Sequence, residues 1–326
     1  MLTRRHFITS AGATGLLAAG PAWAAYPERP VRLIVPLGAG GNGDIMARLT
    51  QPLMVSRLGQ PIVVDNKGGA GGGLGADLAA QAPADGYTLL WGSNGSLVNT
   101  PLMLREPRYK PATDFQAVGL MSLVPMAIVL RKGLPVRNLK ELVDYAAKTP
   151  QGVSIGTSGI GGANHIPLEL FKAATRANIL HVPYKGGGSA LPDLLSGTVD
   201  GLLTEVSTVI DMHNEGRVQI VGLAADQRSP LLPQVQTFIE YGLKDFTAYT
   251  FNGLWARAGT PADVIASLQA ALAFALKDPG LIASVTKRAA LVAPPALQTP
   301  AGAQQFLARE IARAQEAMRI ASIQPE

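Results

Sequence analysis

Hydrophobic residues along this chain fall into short continuous runs that alternate with helically spaced ones. Val31–Val35 has the length and composition of a buried strand. A glycine-rich turn follows at 38–43, and from Asp44 the apolar residues Ile45, Leu49 and Leu53 recur at helical spacing. Residues 62–64 predict a second strand, and 74–82 a helix ended by Pro83. Behind the Asp85-Gly86 turn, 87–91 predicts a third strand, and a polar loop covers 92–96. Residues 126–130 read as a strand, after which Asn138 caps a helix whose Leu139, Leu142, Val143 and Ala146 share one face. A second series then begins, with strands at 153–156, 179–182, 199–203 and 218–223 and helices through Phe171 and Leu194. A last strand is expected at 251–256. Thr260-Pro261-Ala262-Asp263 resembles a capping box, with Pro261 at the first helical position, and a final helix spans 300–320. Such alternation argues mostly parallel sheet covered by helices, in two α/β units.

The first 24 residues depart from this pattern. Thr3-Arg4-Arg5-His6-Phe7-Ile8 is a twin-arginine start, 8–19 is a Gly/Ala-rich apolar run, and Ala22-Trp23-Ala24 is a small-x-small cleavage site. These features predict a twin-arginine signal peptide over 1–24, cleaved near Ala24, and a periplasmic mature chain. No later apolar run reaches the ~18 residues of a membrane span. The chain carries a formal +5; without Arg4 and Arg5 its 28 basic residues fall to 26 against 23 acidic ones. That balance is too even and too dispersed for a nucleic-acid partner. The absence of cysteine excludes disulfides, thiolate metal sites and a cysteine nucleophile.

Candidate chemistry concentrates where strands give way to helices. Glycines let the backbone approach a ligand closely, and the first N–H groups of a helix lack intrahelical partners. This device occurs at 38–43 and again at 157–165 and 183–189. Three such loops at the carboxyl ends of strands can converge on one crevice and hold a carboxylate or phosphate. Lys185 is their one cation, so backbone donors and the polar side chains of Thr157, Ser158, Ser93 and Asn94 are expected to carry the binding. Asp44 is expected to cap its own helix or hold a bridging water. His165 is a candidate base or ligand donor, or a helix-start residue with a structural hydrogen bond.

The first loop also supports a competing reading. Gly38, Gly40 and Gly43 spell G-x-G-x-x-G, and Asp65 lies about 20 residues on, where a dinucleotide's ribose is held. On that reading the chain is an exported NAD-dependent oxidoreductase. Pro36 and Leu37 before the first glycine, and a second glycine run at 68–75 directly after Asp65, weigh against it. His165, His181 and His213 fit no zinc spacing, and neither G-x-S-x-G nor a Walker motif occurs.

Nearly everything from Tyr26 onward resembles the Bug family, the periplasmic solute-binding proteins of tripartite tricarboxylate transporters. The resemblance rests on Tyr26-Pro27-Glu28-Arg29-Pro30 running into 31–36, Gly40-Gly41 with Asp44, and Leu58-Gly59-Gln60-Pro61. It continues through Gly69-Ala70-Gly71-Gly72, Asp85-Gly86-Tyr87-Thr88-Leu89-Leu90, Asp114-Phe115, residues 159–165, Val182-Pro183-Tyr184-Lys185-Gly186 and Ala258-Gly259-Thr260-Pro261. Two loops depart from the family's usual pattern. Leu37-Gly38-Ala39 stand where it has proline, an aromatic residue, then proline or alanine, and Lys67-Gly68-Gly69 where it has Arg-Pro-Gly.

The resemblance implies a two-lobed fold like type II periplasmic binding proteins, two α/β domains joined by two crossing strands. Domain 1 would comprise 25–124 and 249–326, and domain 2 residues 125–248. It implies a non-enzymatic monomer, without cofactor or metal, that captures a small organic carboxylate for a membrane transporter. The expected ligand-binding residues are Leu37, Gly38, Ala39, Gly40, Gly41, Asp44, Ser93, Asn94, Thr157, Ser158, Gly161, Gly162, His165, Tyr184, Lys185, Gly186, Gly187 and Glu205. Ser93, Asn94 and the segment around Glu205 are expected to set selectivity for the ligand's tail.

Overall fold

A computed structural model describes residues 26–325. The leader expected over 1–24 lies outside them. The chain opens with β1 (Val31–Val35), α1 (Asn42–Leu58), β2 (Ile62–Asn66), α2 (Gly73–Ala80) and β3 (Thr88–Gly92). A wide helical turn, Gly95–Asn99, runs into α3 (Thr100–Met103), and α4 (Pro111–Asp114) leads to the long β4 (Phe115–Arg131). The middle holds α5 (Leu139–Ala147), β5 (Val153–Thr157), α6 (His165–Thr175), β6 (Ile179–Pro183), α7 (Gly187–Ser196), β7 (Gly201–Glu205), α8 (Val206–Asn214) and β8 (Val218–Leu223). The end comprises β9 (Tyr249–Arg257), α9 (Ala262–Ala275), α10 (Pro279–Thr286), β10 (Leu291–Val292) and α11 (Pro300–Ile320).

Strand order runs β2-β1-β3-β9-β4-β7-β5-β6, with β10 also pairing β4 at 122–123 and β8 also pairing it over 127–131. The sheet is parallel toward both outer edges, where β1 joins β2 and β3, and β5 joins β6 and β7. Its centre is antiparallel, contrary to the mostly parallel expectation, because β9 returns from the middle of the chain to lie between β3 and β4. The 17-residue β4 changes partners along its length: β9 and β10 pair its first part, β7 and β8 its second. Its first part pairs β9 as far as Pro125↔Tyr249, and from Met126↔Glu205 it pairs β7. Pro125 has no N–H to give a ladder, and it stands at the change of partner. Beyond it, Met126 N–H donates to the Ala248 carbonyl at 2.9 Å.

Strand alternation sorts the core. Leu33 and Val35 of β1 pack with Met46, Trp91, Leu268 and Leu272, while Ile34 faces Leu90, Leu97, Phe251 and Trp255. Ile128 and Leu130 of β4 pack with Ile155, Phe171 and Phe238, while Ala127 and Val129 face Leu194, Val209 and Ile220. α9, α10 and α11 return to the first pair of cores. Asn138 caps α5 by accepting from Glu141 N–H at 2.9 Å, and Thr299 caps α11. Thr260 does not cap α9: Pro261 takes the cap position, and the Thr260 hydroxyl donates back to the Arg257 carbonyl at 2.7 Å. No single described helix is long and apolar enough to cross a membrane.

Candidate functional site

The loops and residues at the carboxyl ends of β1, β2, β3, β5, β6 and β7 approach one another, and the crevice at such strand ends is where ligands bind in open α/β sheets. Two pairs of glycine loops close its rim. The β1–α1 loop meets the β6–α7 loop: a Cβ on Gly188 would lie 2.6 Å from the Ala39 carbonyl oxygen and 2.8 Å from Gly41 N. The second glycine run, after β2, meets the β5–α6 loop: a Cβ on Gly71 would lie 2.5 Å from the Ile160 carbonyl. Only glycine permits such backbone-to-backbone approach. The sequence points to three of these loops as ligand-binding and to 68–75 as evidence against a dinucleotide and as part of the family resemblance; the structure makes it the fourth loop of the rim. Two side chains reinforce the rim. Asn99 Nδ2 donates to the Gly162 carbonyl at 2.9 Å, and Thr100 Oγ1 to that of Gly161 at 3.2 Å.

Beneath the rim lies a buried polar floor that spans the crossing strands. Ser207 Oγ donates to Asn42 Oδ1 at 2.9 Å, Asn42 Nδ2 to Asn252 Oδ1 at 3.4 Å, and Asn252 Nδ2 to Ser122 Oγ at 3.1 Å. Glu205, the last residue of β7, accepts from Thr250 Oγ1 at 2.7 Å and Thr204 Oγ1 at 3.2 Å. Of these seven residues only Glu205 was singled out from sequence. Their spacing along the chain is irregular, and only the two crossings bring them together.

The remaining expected residues take varied roles. Leu37, Gly38, Ala39, Gly40, Gly41, Gly161, Gly162, Gly186 and Gly187 form the rim and its immediate support. Asp44 braces the first loop: Oδ2 accepts from Gly40 N–H at 3.0 Å, and Oδ1 pairs Arg48 at 2.8 Å. Lys185 lends its carbonyl to the contact with Gly38, while its side chain is exposed. Tyr184 donates to Asp193 at 2.7 Å; burial, then that bond, pushes its phenol up to about 12. Ser158 is engaged within its own loop by Asn164 Oδ1, at 2.9 Å from N–H and 2.7 Å from the hydroxyl. Thr157 Oγ1 meets His181 Nε2 at 2.6 Å. Asn94 Oδ1 accepts from Phe251 N–H at 2.9 Å, tying the β3 loop to β9. Ser93 is buried, and its hydroxyl has no partner; Thr208, one turn into α8, shares that condition.

His165 Nδ1 accepts from Gly161 N–H at 3.2 Å, the structural bond considered for it. Its ring stacks on His181 with centroids 4.6 Å apart, and Glu169 lies beside both. This trio has metal-ligand chemistry. Each member is already engaged, however: His165 Nδ1 by Gly161 N–H, His181 Nε2 by Thr157 Oγ1, and Glu169 by Lys172 at 2.9 Å. Burial, then the His165 charge, lowers the His181 pKa to about 4, so His181 is a neutral imidazole at neutral pH.

Asp65 gives the dinucleotide reading no support: its carboxylate pairs Arg32 at 2.6 Å and Lys67 at 3.2 Å. A cavity of about 90 Å³ opens elsewhere, behind the crossing strands, and Asn94 is the only expected site residue in its lining. Glu310 of α11 faces it, its carboxyl held above the usual range by burial.

The family model described as the tripartite tricarboxylate transporter family receptor matches residues 46–320. The chain is 34% identical to the protein BugT of Bordetella pertussis over 309 residues, 94% of this chain and 92% of that one. The structure of the periplasmic binding protein BugD superposes with a TM-score of 0.89 at 34% identity, covering 92% of this chain and 100% of that one. MatC from Rhodopseudomonas palustris, solved with bound malate, gives a TM-score of 0.86 at 32% identity, covering 90% and 99%. The matching family and these structural neighbours are solute-binding proteins rather than enzymes, and the chain belongs to the tripartite tricarboxylate transporter receptor family of periplasmic solute-binding proteins.

Proposed function

We propose that this protein captures one small organic carboxylate between two lobes and delivers it to a tripartite tricarboxylate-type membrane transporter. The observation that carries this reading is the convergence of glycine loops and helix N-termini from both lobes on a cleft without an arginine in its loops. Such a cleft suits an anion held by backbone donors. The candidates are a dicarboxylate, a tricarboxylate, an acidic amino acid or an aromatic acid; bound malate in MatC supports the class. Leu37 to Gly41, Ser93, Gly161, Gly162, Gly186 and Gly187 are the proposed contacts, with Asp44, Asn94, Thr157, Ser158, His165 and Tyr184 holding their loops. The lobes are 25–124 with 249–326, and 125–248. They turn about the two crossings at Pro125 and Tyr249, and the ligand favours the closed state by contacts that only that state offers. The protein works as a monomer in the periplasm, exported through Arg4 and Arg5.

The test is a thermal-shift screen of mono-, di- and tricarboxylates and amino acids, followed by small-angle scattering. A ligand at a hundred times its Kd stabilises by about 2.7 kcal/mol, and closure reduces the radius of gyration. A screen in which no carboxylate stabilises the protein overturns the reading. Changing Arg4 and Arg5 together to lysine is expected to abolish export; normal periplasmic yield overturns the twin-arginine route.

A further inference from the structure

Glu205 differs from the other buried acids. Asp44 is paired with Arg48 at 2.8 Å, and Asp77 with Arg108 at 3.7 Å. Glu205, 5% exposed, has two threonine hydroxyls as its hydrogen-bond donors, and no lysine or arginine of the described residues forms an ion pair with it. A carboxylate withdrawn from water demands a counter-charge or strong donors. Oε2, which accepts from Thr204, lies beside the glycine loop with a lone pair to spare: a Cβ on Gly187 would lie 3.1 Å from Thr204 Oγ1 and 3.8 Å from Oε2. Gly187 begins α7, whose N–H groups point into the same cleft. One turn along α8 from Glu205, the Thr208 hydroxyl is 9% exposed and has no partner. Two unlike demands therefore stand within one ligand's reach, an anion for the helix start and a cation for Glu205.

We infer that Glu205 sets the ligand class: it takes the ammonium of an α-amino acid whose carboxylate lies on the glycine loops. This inference rests on the carboxylate-binding reading above and narrows it. A plain dicarboxylate would set a methylene or a second negative charge against Oε2, leaving the buried carboxylate without its counter-charge. An α-amino acid carries both required charges on one carbon. Thr208 adds a third polar contact beside the ammonium.

The experiment uses matched pairs that differ only in the amine: L-aspartate and succinate, L-glutamate and glutarate, L-alanine and propionate, L-phenylalanine and 3-phenylpropionate. Calorimetry on the mature wild-type protein is expected to show, in the pair that binds, the amino acid preferred by roughly tenfold or more. In Glu205→Gln, a nearly isosteric change, that preference is expected to collapse while the amine-free partner binds as well as before or better. Succinate or another amine-free acid binding the wild type as tightly as its partner overturns the inference and leaves the carboxylate reading intact. An unchanged ratio in Glu205→Gln does the same. Binding by no member of any pair, nor by any other carboxylate, overturns the carboxylate reading itself. Should Glu205→Gln fail to fold, the wild-type ratios alone decide.

Discussion

Rim and floor of the cleft are built on opposite principles. The rim is chiefly backbone laid on backbone, with Gly188 against Ala39 and Gly71 against Ile160, and only Asn99 and Thr100 add side-chain bonds to its carbonyls among the contacts described above. The floor is side chain bonded to side chain, from Ser207 through Asn42 and Asn252 to Ser122. Backbone contacts of this kind bury little apolar surface and fix few rotamers, so they part at small cost. A buried polar network is lost only by leaving donors and acceptors unpaired. The difference teaches where the molecule can open and where it must stay joined.

The largest expected effect is on the rim. Gly188→Val places a side chain against Ala39 and Gly41, backbone atoms of the facing loop, so closure is blocked while each lobe folds. Affinity for whichever carboxylate binds the wild type should fall by a thousandfold or so, roughly 4 kcal/mol by calorimetry. Undiminished affinity would show that the rim does not close over ligand.

Next comes His181, which supports the rim from below through Thr157. Its folded pKa of about 4 lies under the unfolded value of 6.5. The unfolded chain therefore binds more protons between those values, and stability is complete above pH 6.5 and is lost as pH falls toward 4. The loss attributable to this group is about 3 kcal/mol. Urea unfolding at pH 7.5, 5.5 and 4.5 should show that slope, and His181→Asn should flatten it.

Floor substitutions are expected to act on stability more than on opening. Thr250→Val removes the 2.7 Å donor to Glu205 and should cost about 2 kcal/mol in urea unfolding. Ser207→Ala leaves Asn42 Oδ1 without its donor and should cost about 1 kcal/mol. If Ser207→Ala proved the costlier, Glu205 would not be the demanding member of the floor.

Local signals were legible in the sequence where one physical rule dominates. The final helix shows an uninterrupted 3.6-residue pattern, and Pro300–Ile320 matches it residue for residue. Asn138 caps as expected. β4 was read only over 126–130, because its first part shifts register twice against β9 and carries Gly119 and Ser122 among its apolar residues. α8 was missed, since Val206, Thr208, Val209 and Ile210 are β-branched and follow a strand without a glycine or proline break. α10 was missed as well, packed close behind α9. At the site, the glycine runs announced themselves, but their pairing across the cleft did not. Asn42 and Ser207 lie 165 positions apart, and Glu205 and Thr250 45 apart. No local pattern encodes such partners.

The place of β9 between β3 and β4 bears on the order in which the molecule assembles. Residues up to 124 leave the ribosome first, yet their sheet lacks its central strand until 249–257 have been made. The stretch from 126 to 248 holds all the strands of its own sheet and can complete itself earlier. The half synthesised first is therefore expected to finish last, waiting with its strand edges open for the end of the chain.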